Sequence, residues 1–260
     1  MSLNTSNTPD GRGVLIYTGE IILLYTKRVV LSFDGHSEAA FKGKKEGALY
    51  LTSHRIIFVN EKVGQALQSF ALPFFAIDEV KLEQPLMGSN YLKGRVQSLP
   101  GGNFMGDVKW KLSFPKGGCI DFGHALLQAH AMAQRQRPTN APPEYNAPPP
   151  QSFYAAQAKQ YTQEGPYYGF QAPTNVFPDR PRDGEVFMYD APPPYPGIGP
   201  APAYNTTQPV QPSAPSSSSA AAYPMGQAPP YPSGPAPAYP SPPAPSYPGY
   251  AEAPPLPQKN

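Results

Sequence analysis

Cysteine is nearly absent from this chain: Cys119 is the only one among 260 residues. No intrachain disulfide can form, and a reducing compartment is the expected home. Charge is sparse at 15% of residues, with a net of +2. A nucleic-acid-binding domain would instead show clustered basic residues, so a direct nucleic-acid partner is not expected. Long apolar runs are missing as well. The most apolar stretch, residues 14–31, is interrupted by Glu20, Lys27 and Arg28 and cannot span a bilayer. The first ten residues are polar and lack the apolar segment of a secretory signal. The four histidines, His36, His54, His124 and His130, show no zinc-ligand spacing with Cys119. The glycine pairs Gly101-Gly102 and Gly117-Gly118 lack the residues of a phosphate-binding loop and read as turns. No catalytic constellation, metal site or cofactor motif emerges, and the expected class is a non-enzymatic protein.

Proline and tyrosine are abundant, and they are unevenly spread. Residues 1–137 hold 5 of the 38 prolines and 4 of the 17 tyrosines; residues 138–260 hold the rest. Such a proline density with few Leu, Ile or Val predicts a segment that buries too little surface to offset its ordering entropy. The expected organisation is a folded head, 1–137, followed by a disordered tail, 138–260. The head carries 16 Lys and Arg against 11 Asp and Glu, a net of +5. The tail carries 4 against 7, a net of −3.

The head reads mainly as strands. Residues 28–33 are β-branched and alternate, and residues 47–59 read as two strands with a tight turn at Ser53-His54. Residues 67–72, 77–82 and 91–96 are shorter candidates. Residues 106–114 alternate strictly, placing Val108, Trp110, Leu112 and Phe114 on one face. A turn at 116–118 then leads into a short strand at 119–122, where Cys119 is a small buried hydrophobe. The period changes after Gly123: Ala125, Leu126, Ala129, Met132 and Ala133 fall at helical spacing, and Pro138 ends the helix. Residues 19–25 fit a helical turn or a buried strand about equally. The fold class is therefore mainly β, a bent antiparallel sandwich closed at one end by a helix.

Two tail segments fit the pattern Pro-Pro-x-Tyr: Pro142, Pro143 and Tyr145 around Glu144, and Pro192, Pro193 and Pro194 ahead of Tyr195. Prolines bias the chain toward a left-handed helix with three residues per turn, so the first proline and the tyrosine project from one side. A ligand so preformed loses little entropy on docking into a shallow aromatic groove. Pro194 and Pro196 stiffen the second motif, which is expected to be the better ligand. Four near-misses, ending at Tyr204, Tyr231, Tyr239 and Tyr247, lack the first proline. By resemblance to known ligands the two full segments belong to the group I class of WW-domain ligands, while residues 254–257, Pro-Pro-Leu-Pro, fit another WW class or an SH3 ligand. A phosphate on Tyr145 or Tyr195 would weaken WW docking and create an SH2 ligand.

The run Gly-Ala-Leu-Tyr-Leu-Thr-Ser-His-Arg-Ile-Ile-Phe-Val at 47–59 resembles the strand-turn-strand signature of GRAM domains. Gly47, Leu49, Leu51, Thr52, Arg55, Ile57 and Phe58 carry the match. The later segments AFKG, QSFALPF, NYLKG and DFG, followed by a proline-rich tail, resemble the WW domain-binding protein 2 family. The resemblance implies a pleckstrin-homology-like (GRAM) fold and partners with WW domains, among them transcriptional co-activators and ubiquitin ligases. It also implies a co-activator or scaffold role shared between cytoplasm and nucleus. Arg55, a fixed element of that signature, is expected to pair with a carboxylate or backbone carbonyls. Lysines near the first hairpins of such modules often hold phosphoinositide headgroups, which makes Lys42, Lys44 and Lys45 candidate lipid contacts. The alternative role is a peripheral membrane adaptor that brings a ubiquitin ligase to its cargo.

Overall fold

The computed structural model describes residues 1–136, 153–162 and 165–199. Strand β1 (Ser2–Leu3) and strand β2 (Val14–Tyr17) precede a long strand β3 (Ile22–Asp34). Then come β4 (Lys45–Thr52), β5 (Arg55–Asn60), β6 (Ser69–Pro73), β7 (Ile77–Glu83), β8 (Tyr91–Gln97) and β9 (Asp107–Ser113). Eight of these form one antiparallel sheet in the order β1-β6-β5-β4-β3-β9-β8-β7.

Strand β3 joins the two halves of that sheet. It pairs with β4 along most of its length and with β9 over Val30 to Asp34. The β3–β4 register slips between Thr26 and Val29, where Arg28 takes a φ of 60°. Such a bulge bends the strand and increases its local twist. Val108, Trp110, Leu112 and Phe114 from the far half share one core with Leu49, Phe58 and Phe70 from the near half. This is the mainly β arrangement that the alternation of 47–59 and 106–114 anticipated, and it agrees with the pleckstrin-homology-like fold that the resemblance implied. Residues 22–25 are strand, which decides the ambiguity at 19–25.

Helix α1 (Cys119–Arg135) closes the core against the 3-10 turn at 74–76 and strands β7 and β8. It starts six residues before the first residue assigned to it by periodicity, so the expected strand at 119–122 is helix. Cys119, Phe122, Leu126, Ala129 and Ala133 are its buried stripe. An apolar pair at Cys119 and Phe122 has i, i+3 spacing, and four residues are too few to separate that from a short strand. Gly123 lies on the face toward β8, where a Cβ would meet Leu92 Cδ2 at 2.9 Å.

The larger departure lies beyond the helix. Ordered packing does not stop at 137, because residues 153–162 and 165–199 lie against the head. Strand β10 (Phe153–Ala155) pairs with β11 (Val186–Tyr189), and β11 runs parallel to β2 with Val186 opposite Val14 and Tyr189 opposite Tyr17. Tyr161, Phe170, Phe177, Val186, Met188 and Ile198 are buried. The physical reason is local composition. All four phenylalanines of 138–260 fall between 153 and 187, and three of its five Leu, Ile and Val residues fall between 176 and 198. Averaging over 123 residues conceals a stretch able to bury itself.

Candidate functional site

The second Pro-Pro-x-Tyr motif sits on the head. Strand β11 delivers it: the Thr18 backbone N–H donates to the carbonyls of Tyr189 (3.1 Å) and Ala191 (3.0 Å). The Thr18 hydroxyl donates to the Tyr189 carbonyl at 2.6 Å, and the Tyr189 hydroxyl donates to the Thr5 carbonyl at 3.2 Å. On the far side, the Ile198 N–H donates to the Ser53 carbonyl at 2.8 Å, and Gln136 Nε2 donates to the Ile198 carbonyl at 3.0 Å. The motif is thus held at both ends by backbone bonds to the head.

Between these anchors the Tyr195 ring is 4% exposed. Three head side chains surround it. Phe75 lies at 5.4 Å between ring centroids, Tyr17 meets it edge-on at 6.2 Å, and His54 is tilted at 6.4 Å. Such offset and edge-on contacts suit the quadrupoles of aromatic rings. Pro193 is buried, Pro194 and Pro196 are half-buried, and Pro192 is exposed. Gly197 is required by close approach: a Cβ there would stand 2.5 Å from the Ser53 carbonyl and 2.6 Å from the His54 ring.

Under this pocket lies an ion pair taken out of water. Arg55 and Glu20 are 1% and 0% exposed at the side chain, with Nε to Oε1 at 2.9 Å and an η nitrogen to Oε2 at 3.0 Å. The other η nitrogen donates to Ser6 Oγ (3.0 Å), and the Leu15 carbonyl accepts a further bond at 3.1 Å. Thr52 donates its hydroxyl to Glu20 at 2.6 Å. The guanidinium carbon lies 4.7 Å from the Tyr17 ring centroid. Burial opposes both charges. Even so, Glu20 is held below the usual carboxylate range by Arg55, and Arg55 is raised well above its ordinary value by Glu20. The expected pairing of the signature arginine is what the structure shows. His54, beside the pair, is pushed down to about 4, chiefly by burial.

The three candidate lipid lysines are not presented together. Lys42 and Lys44 are exposed, whereas Lys45 is 9% exposed. The Lys45 Nζ donates to the Lys42 carbonyl at 2.6 Å and lies 5.9 Å from the Phe33 ring centroid. Burial lowers its pKa. Lys45 opens strand β4 with its side chain folded inward, so it leaves the proposed contact set. Sequence reading passed over a different basic group: Lys27 and Arg28 at the β3 bulge and Lys116 before α1 line an open depression of about 480 Å³. Only the bulge brings Lys27 and Arg28 beside the 116–118 turn, and a bulge leaves no signal in strand periodicity.

Cys119 is buried, and burial pushes its thiol up to about 11, so it carries no thiolate at neutral pH. Among the described residues no cluster of His, Cys, Asp and Glu is arranged for a metal ion. Nor is any helix long and apolar enough to cross a membrane. The first motif, with Pro142, Pro143 and Tyr145, lies outside the described residues, as do the near-misses and residues 254–257.

Residues 20–132 match the GRAM domain family. The match begins at the buried Glu20, contains its partner Arg55, and ends within α1. It leaves β1, β2 and the 153–199 segment outside the matched span. Among curated proteins the chain is 34% identical over 141 residues to the bovine postacrosomal sheath WW domain-binding protein, covering 53% of this chain and 45% of that one. It is 41% identical over 90 residues to human WW domain-binding protein 2 (35% and 34% covered), and 34% over 151 residues to the mouse protein (58% and 48%). The chain thus spans about half the length, or less, of the curated relatives it matches. Among solved structures, the chain is 19% identical to the Vps36 N-terminal PH domain. That comparison has a TM-score of 0.37 and covers 49% of this chain and 89% of the other.

Proposed function

We propose that this protein is a non-enzymatic adaptor whose Pro-Pro-x-Tyr motifs are ligands for WW domains, with the GRAM domain as its folded base. The observation that carries this is the presence of two full motifs, at 142–145 and 192–195, in a chain 41% identical over 90 residues and 34% identical over 151 residues to proteins named for WW-domain binding. Each motif has the prolines and phenol at the three-residue spacing that places them on one side of a polyproline helix. A ligand this short is expected to bind in the micromolar range, about 8 kcal/mol. The partners of this reading are WW-containing transcriptional co-activators and ubiquitin ligases, with action as a co-activator or scaffold in cytoplasm and nucleus. SH2 and SH3 domains are secondary partners through phosphorylated tyrosines and residues 254–257. Isothermal titration of a group I WW domain with peptides 139–148 and 188–199 tests the reading. Micromolar binding supports it, and no binding by either peptide rejects it.

A second reading has its own support in the exposed cations. Lys42 and Lys44 near the first hairpin, and Lys27, Arg28 and Lys116 around the depression, favour attachment to an anionic phosphoinositide surface. Each such residue near the membrane contributes ~1 kcal/mol. Sedimentation with phosphoinositide vesicles should then fall when Lys42 and Lys44, or Lys27 and Arg28, are changed to Glu. An unmutated chain that stays in the supernatant would reject this reading.

A further inference from the structure

The tyrosine of the second motif and one of its prolines are already packed against the head. The ring that a WW pocket must take is closed in by Phe75, Tyr17 and His54. One of the prolines is buried, and the chain on either side is bonded to Thr18, Ser53 and Gln136. The head residues that form the pocket come from three separate places. Tyr17 ends β2, His54 forms the β4–β5 turn, and Phe75 lies in the 3-10 turn. Their convergence on one phenol, with Gly197 admitting the strand against Ser53 and His54, is the geometry of a receptor groove.

From this we propose that the groove formed by Tyr17, His54 and Phe75 is a binding site for the chain's own 192–198 segment, and that it competes with WW domains for Tyr195. The inference rests on the WW reading above for its competitor, though not for the groove itself. One phenol cannot fill two pockets, so a WW domain engages Tyr195 only after the segment leaves the head. A ligand whose binding-competent form is a minor fraction binds more weakly by that fraction. The first motif lies outside the 192–198 segment, so the groove does not compete for Tyr145. The stiffness of the second motif then ranks it first as a free peptide, while in the intact chain the order inverts.

The test compares a group I WW domain against peptide 188–199 and against the full chain carrying Tyr145→Ala, which leaves Tyr195 as its only full motif. The chain should bind at least about tenfold more weakly than the peptide. Gly197→Val, whose side chain would collide with the Ser53 carbonyl and the His54 ring, should expel the segment. It should bring the chain to within about twofold of a peptide bearing the same change. Equal affinity of the Tyr145→Ala chain and the peptide overturns the proposal. Amide exchange at Ile198 reads the groove with no WW domain present. Strong protection that Gly197→Val abolishes supports it, and exchange at the rate of an unstructured peptide overturns it. A peptide that fails to bind rejects the WW reading instead, and leaves the exchange result to decide the groove.

Discussion

Arg55 brings a positive charge into the interior, where Glu20, Ser6 and the Leu15 carbonyl meet it. Burying two ions costs several kcal/mol each, and breaking such a pair leaves one charge uncompensated. Arg55→Ala or Glu20→Ala should therefore destabilise the protein by about 3–5 kcal/mol in urea denaturation. Changing both residues together, to Met and Leu, should cost less than the two single losses combined. His54 adds a pH dependence. Its folded value of about 4 lies below the ordinary 6.5, so the unfolded chain takes up the proton first. Its contribution is complete above about pH 6.5 and is lost as the pH falls toward 4, roughly 3 kcal/mol in all. The neighbouring charges are Glu20, which favours protonation, and Arg55, which opposes it. His54→Gln should flatten the stability profile between pH 6.5 and 4. An unchanged slope would place the titration elsewhere.

Among the elements, the strap from 153 to 199 changes what the head can do alone. Strand β11 covers β2, and Val14, Ile16, Tyr161, Val186 and Met188 form one buried cluster with Tyr25 and Tyr50. A chain ending at 137 should still fold around Trp110, Phe122 and Leu126, but should lose about 2 kcal/mol or more against a chain ending at 199. Val186→Asp in the longer chain should reproduce much of that loss, read by thermal unfolding. Identical stability of the two lengths would mean that the strap adds nothing. The same elements show what the sequence made legible. The strict alternation of 106–114 and the paired strands of 47–59 announced themselves because each buries one face. Residues 119–122 did not, since four residues cannot separate a period of 2 from one of 3.6. The strap was hidden by the prolines around it, although Val186, Phe187, Met188 and Tyr189 form the only four-residue run in 138–260 composed solely of large aliphatic and aromatic residues. Of the site, the motif residues and the signature arginine could be read directly. The pocket could not, because Tyr17, His54 and Phe75 converge only in three dimensions.

The whole molecule combines a span that matches the GRAM family with two Pro-Pro-x-Tyr motifs, one packed on the head and one beyond the described residues. The most direct measurement is capture of the full chain by an immobilised group I WW domain, comparing the unmutated chain with Tyr145→Ala, Tyr195→Ala and the double variant. The adaptor account predicts that the double variant loses capture altogether. It also predicts that Tyr145→Ala costs the intact chain more than Tyr195→Ala, because Tyr195 is held by the head. Undiminished capture of the double variant would contradict the account.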